Sequence, residues 1–86
     1  MIPIFEINKR YKIYPVIHKG EIMEGNAKAY ILKSVSDFNT LGRYLLFKNI
    51  QTDKTFGLFE ESFESNSYNF YRATEITQET DPEYFL

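Results

Sequence analysis

The sequence predicts an all-β protein: a small five- to six-stranded antiparallel barrel with a short helical turn and a C-terminal tail. Three observations predict it. Runs rich in Ile, Val, Leu, Tyr and Phe recur at spacings of about 8–12 residues, separated by polar or glycine-containing turn segments. Fifteen residues are Phe or Tyr, large rings that let a small core bury more area per residue. With 86 residues the chain makes one domain and one core, and closing the sheet is the economical way to remove its edges. The expected domain spans residues 1–76, followed by an acidic aromatic tail over residues 77–86.

The elements follow in order. Ile2 to Ile7 reads as a short edge strand or an arm packed on the core, since Pro3 suits a sheet edge. Arg10 to Ile17 alternates: Tyr11 and Ile13 face one way, Arg10, Lys12 and Tyr14 the other, a half-buried strand. His18 to Glu21 is a turn, Ile22-Met23 a short return, and Glu24-Gly25-Asn26 a break. The composition of Ala27 to Val35 admits a two-turn helix. The β-branched Ile31 and Val35 and the alternation of Tyr30 and Leu32 with Ala29 and Ile31 favour a strand. Ser36 to Thr40 is a loop in which Phe38 is an exposed anchor or a core plug. In Arg43 to Ile50, Leu45 and Phe47 share one face with Arg43 and Asn49, and Tyr44 and Leu46 share the other with Lys48. Apolar groups on both faces suit a strand inside a curled sheet. Gln51 to Lys54 is a polar turn, and Thr55 to Phe59 returns with Phe56 and Leu58 on one face. Gly57 leaves room for close approach or a bend. Glu60 to Phe63 is too short for an α-helix and fits a single turn that drops Phe63 into the core. Ser65 to Ser67 is a connector, and Asn69 to Ile76 a last strand with Tyr71 and Ala73 on one face. In the tail, Asp81-Pro82 suits the start of a helical turn.

The glycine-led strand, polar turn, second strand and closing turn ending in Phe-Glu are carried by Gly42, Tyr44, Leu46, Phe56, Leu58, Phe63 and Glu64. This stretch resembles the C-terminal half of small Src-homology-3-like barrels of phage and bacterial type, over about a quarter of the chain. The resemblance implies a fold more than an activity. In such barrels a Trp or Tyr often precedes the closing turn; here Gly57-Leu58-Phe59 stands in that place.

The chemistry-bearing residues are few. There is no cysteine, which removes disulfides, thiolate metal sites and cysteine nucleophiles and fits a reducing compartment. No run approaches the ~18 apolar residues of a membrane span, and the first residues lack the basic-then-apolar order of a signal peptide. His18, with Glu21 or Glu24 as orienting acid, is a general-base candidate that competes with a plain solvated turn histidine. Glu60, Glu61 and Glu64 could pair for glycoside or cation chemistry, but their spacing matches no calcium loop and suits a solvated acidic turn. No phosphate loop, dinucleotide fingerprint, zinc spacing or nucleophile elbow is present. The expectation is a non-enzymatic chain without metal or cofactor.

Charge is unevenly laid out. Residues 1–54 hold nine Lys/Arg and five Asp/Glu, a balance of +4; residues 55–86 hold one Arg and seven Asp/Glu, a balance of −6. The acidic aromatic third points to recognition of another protein with a basic surface, since carboxylates steer association and rings anchor it. The residues expected to bind are Glu60, Glu61, Glu64, Tyr68, Tyr71, Glu79, Asp81, Glu83, Tyr84 and Phe85. A phage-encoded inhibitor or adaptor acting on a host or defence protein, in the host cytoplasm, fits that pattern. The alternative is an RNA- or single-strand-binding barrel that uses Arg10, Lys12, Tyr14, Lys19, Arg43 and Lys48. Against it stand the net charge of −2 and a pI near 5.3. A third reading is self-assembly through an edge strand.

Overall fold

The computed structural model describes residues 4–15, 27–63 and 71–85. They form five strands: β1 (Arg10–Pro15), β2 (Lys28–Asp37), β3 (Arg43–Asn49), β4 (Thr55–Phe59) and β5 (Tyr71–Ile76). All pairings are antiparallel, in one sheet of order β4-β3-β2-β1-β5. The helical pieces are 3₁₀ turns at Asn39–Leu41, Glu60–Phe63 and Pro82–Phe85. The all-β class is therefore as expected, with five strands. The ambiguous segment after Ala27 is a strand.

Among the described residues the sheet is not closed. β4 and β5 are its two edges, and side chains rather than a hydrogen-bond ladder span the gap. Phe56 on β4 meets Tyr71 on β5 edge-on at 5.7 Å, and Phe63 from the 3₁₀ turn lies 6.2 Å from Tyr71. The short turn after β4 drops Phe63 into the core, as expected, and there its ring lies between the edges. On the concave side Tyr11, Ile13, Leu32, Leu45, Phe47, Phe63 and Ala73 form the core, joined by Phe5.

The alternation in β1 is the one expected: Tyr11 and Ile13 are buried between partly exposed Arg10, Lys12 and Tyr14. β2 departs from simple alternation. Leu32 pairs with Phe47 but Ser34 with Leu46, so Lys33 is an extra residue in a β-bulge. The bulge exchanges parity: Leu32 faces the core before it and Val35 packs on the core after it. β3 buries Leu45, Phe47 and Asn49 on one face, which selects between the two apolar faces the sequence offered. Buried Asn49 organises the turn into β4. Its Oδ1 accepts from the Gln51 and Thr52 amides at 2.8 and 3.1 Å, and its own amide donates to Lys54 O at 2.8 Å.

Residues 4–6 are an arm, not a strand, because their backbone is held by a side chain. The Tyr11 hydroxyl accepts from the Glu6 amide at 2.8 Å and donates to Ile4 O at 3.1 Å. That clamp seats Phe5 among Phe63 (4.9 Å), Tyr11 (5.0 Å) and Phe47 (6.0 Å) while Ile4 stays 80% exposed. The turn around His18, the Ile22-Met23 return, the Ser65–Ser67 connector and Asn69 lie outside the described residues.

Candidate recognition surfaces

Two surfaces on the convex side of the sheet gather the chemistry. The first is an aromatic ledge over β3 and β4. Tyr44 and Phe59 are paired across the two strands and point away from the core, 5.1 Å apart and edge-on. Phe38 reaches over from the β2–β3 connection, 5.9 Å from Tyr44 and 5.8 Å from Phe59. That connection is tightly tied: the Asp37 carboxylate accepts from the Asn39 amide at 2.8 Å, and Phe38 N donates to Gly42 O at 2.9 Å. Gly42 sits at φ 91°, a conformation that favours glycine. Phe38 is nonetheless 47% exposed and Leu41 63%. Gly57 is not a place where backbone approaches: the Tyr44 ring lies over it, and a Cβ there would collide with that ring. Acids flank the ledge in the chain: Asp37 precedes Phe38, and Glu60 and exposed Glu61 follow Phe59, but Asp37 is in register with Arg43 on the face opposite Tyr44 and Glu60 is paired with Arg43 at 3.1 Å.

The second surface lies on the outer side of β5 and β1, and the C-terminal segment covers it. The Thr77–Thr80 turn is closed by reciprocal bonds, Thr77 N to Thr80 Oγ1 at 2.9 Å and Thr80 N to Thr77 Oγ1 at 3.2 Å. It turns the chain back so that Asp81 meets Lys12 at 3.3 Å, with the Asp81 side chain only 18% exposed. Phe85 lies under Arg10, whose guanidinium carbon is 4.5 Å from the ring centroid, within cation–π range. Ile76 is buried beneath this segment although it points away from the core cluster. A cavity of about 480 Å³ remains between Lys12, Tyr14, Thr74, Ile76, Asp81 and Tyr84.

Comparison with protein-family models, with curated proteins and with solved structures found no match.

The acidic aromatic residues read from the sequence do not form one face. Glu60 pairs with Arg43 at 3.1 Å, and Glu61 is exposed beside it. Tyr71 turns inward against Phe56 and Phe63. Glu79 and Glu83 are exposed on the C-terminal segment, where Asp81, Tyr84 and Phe85 turn toward the sheet. Glu64 and Tyr68 lie outside the described residues. The basic set divides too. Arg10, Lys12 and Tyr14 share the outer face of β1, and Lys48 joins it through the row Arg10–Ile31–Lys48. Lys48 also meets Asp53 at 3.3 Å. Arg43 belongs elsewhere: besides Glu60 it donates to Phe5 O at 3.4 Å. Lys19, like His18, Glu21 and Glu24, lies outside the described residues.

Among the described residues no group of three or more acids and histidines is placed to hold a metal ion, and no helix is long and apolar enough to cross a membrane. A further groove of about 410 Å³ opens between the two sheet edges, lined by Ile13, Tyr14, Pro15, Tyr30, Phe56 and Tyr71. Burial there pushes the Tyr30 phenol above its ordinary range, against the bond to Asn49 that lowers it. The ledge was missed by sequence reasoning. Its signal was available in the apolar outer-face residues Tyr44 and Leu46 and in Phe59 next to Leu58, which are superfluous for a one-sided core.

Proposed function

We propose that this chain is a small non-enzymatic protein-recognition module, an adaptor or inhibitor, that docks on a basic surface of another protein through acidic and aromatic side chains. The observation that carries the reading is the ledge of Phe38, Tyr44 and Phe59 with exposed Leu41, flanked in the chain by exposed Asp37 and Glu61. Core-like rings held rigidly at the surface supply the buried anchors that dominate interface energetics. The flanking carboxylates select a cationic partner and speed its encounter. Of the residues expected to bind, this reading keeps Glu61, and it adds Asp37, Phe38, Leu41, Tyr44 and Phe59.

The meander β1–β4, the return of β5 to β1 and the 3₁₀ turn between β4 and β5 support a rolled sheet of Src-homology-3-like type. A phage-encoded factor acting in a host cytoplasm remains the setting we favour, in keeping with the lack of cysteine. The test is affinity capture from cell extract with the wild-type chain, a Phe38→Ala/Leu41→Ala variant and a Glu61→Lys variant. The expected result is one partner retained by wild type and lost by both variants, with unchanged circular dichroism. Capture that is indifferent to both substitutions refutes the reading.

A further inference from the structure

The outward-facing residues of the strands carry Arg10, Lys12, Lys48 and Arg72, and no carboxylate. They lie in adjacent rows. Arg10 is in register with Ile31, and Ile31 with Lys48; Lys12 is opposite Thr74; Tyr14 is opposite Arg72. The other outward-facing strand residues are aromatic, aliphatic or uncharged polar, so within the strands this face carries positive charge alone, in a chain of net charge −2. Two carboxylates reach these cations: Asp81 of the C-terminal segment meets Lys12 and Asp53 meets Lys48, each at 3.3 Å. Residues 77–86 contain Glu79, Asp81 and Glu83 and no cation, which leaves ten Lys/Arg against nine Asp/Glu in the remainder. That segment does not project into solvent. It places a carboxylate on Lys12 and a ring under Arg10.

We propose that the outer face of β5, β1, β2 and β3 is a single-stranded nucleic-acid site that the chain's own acidic tail covers. Asp81 stands where a phosphate would sit against Lys12, and Phe85 stands where a base would stack on Arg10. Single strands are held by a cationic groove that tracks the backbone and by flat groups that stack on the bases. Both halves of that chemistry are present and internally occupied: ammonium with carboxylate, guanidinium with ring. Tyr14, beside Arg72 on the same face, offers a further stacking surface. The 480 Å³ cavity between Lys12, Tyr14 and Tyr84 lies where the tail arches over the strands. A nucleic-acid strand and the tail compete for the same groups, so the tail sets the threshold for binding.

The experiment uses the full chain and a fluorescein-labelled single-stranded oligo(U) of roughly twelve nucleotides, in the range of site sizes of small β folds. Wild type, Asp81→Asn/Phe85→Ala, and that variant with Lys12→Ala added are titrated by anisotropy at low salt. The contacts removed are one partly exposed ion pair and one cation–π pair, so the double variant should bind roughly five- to thirty-fold more tightly than wild type. Lys12→Ala should reverse the gain, and affinity should fall steeply with added salt. No tightening, or tightening that Lys12→Ala leaves intact, overturns the proposal. So does a double variant that takes up an acidic aromatic peptide but not the oligonucleotide, which would mark a peptide site. Should the double variant unfold, amide spectra of wild type decide: saturating oligo(U) must shift Thr77 to Phe85 toward free-chain positions, and unchanged tail signals overturn the proposal.

Discussion

Replacing Phe63 with Ala tests how an open sheet is held in its rolled shape. Phe63 is fully buried between the edges, with ring centroids 4.9 Å from Phe5, 6.1 Å from Phe47 and 6.2 Å from Tyr71. A buried Phe→Ala change costs about 3–5 kcal/mol, from lost transfer energy plus the cavity left behind. A domain of this size has a total stability of about 4–13 kcal/mol, so the substitution removes a large share of it. At an m-value of about 1 kcal/mol/M in urea, the unfolding midpoint falls by about 3 M or more. The assay is urea denaturation followed by far-UV circular dichroism, with Phe63→Leu as a milder truncation that leaves a smaller cavity and is expected to lose less than Phe63→Ala. Hydrogen exchange adds a spatial readout: β5 amides should lose protection before those of β2 and β3. A loss below about 1.5 kcal/mol for Phe63→Ala would refute the claim that this ring bridges the edges.

Three other outcomes are expected. Gly57→Ala should displace the Tyr44 ring, at a cost of about 1–3 kcal/mol, and quench exposed-Tyr fluorescence differently from wild type; unchanged stability and emission would count against the ledge geometry. Asn49→Ala leaves the Gln51 and Thr52 amides without their acceptor and should cost about 1–3 kcal/mol by thermal or urea melting. Burial first of all pushes the Tyr11 phenol above its ordinary value, so the neutral form is favoured in the folded state. That stabilisation is complete below the unfolded value of about 10 and is lost as pH rises toward the folded value. Melting between pH 9 and 11.5 should therefore fall more steeply in wild type than in Tyr11→Phe.

The periodicity of β1 was legible because the strand buries one face, and Tyr11 and Ile13 lie where alternation puts them, whereas β3 carries apolar residues on both faces and only the fold shows that Leu45 and Phe47 are the buried pair. The bulge in β2 was not legible, since Tyr30-Ile31-Leu32-Lys33-Ser34-Val35 reads as unbroken alternation and the extra residue shows only in the pairing with β3. The N-terminal arm was half legible: its apolar character is in the sequence, but the clamp by the Tyr11 hydroxyl joins residues five and seven apart through a side chain. The site residues were the least legible. Local composition showed that carboxylates and rings abound after Thr55, whereas their availability depends on long-range pairs such as Lys12–Asp81, sixty-nine residues apart. Charge counted along the chain says little about which charges cancel across a sheet.

The Thr77–Thr80 turn has a consequence for how the covering segment behaves in solution. A tether of four residues keeps Asp81 and Phe85 near the strands at an effective concentration in the millimolar range or above. Dilution does not lift such a cover, because the two species are one molecule. Ionic strength does, and so does a competitor present at a concentration that, relative to its own dissociation constant, exceeds the closure equilibrium of the cover, so occupancy of the face follows the surroundings of the protein and not its abundance.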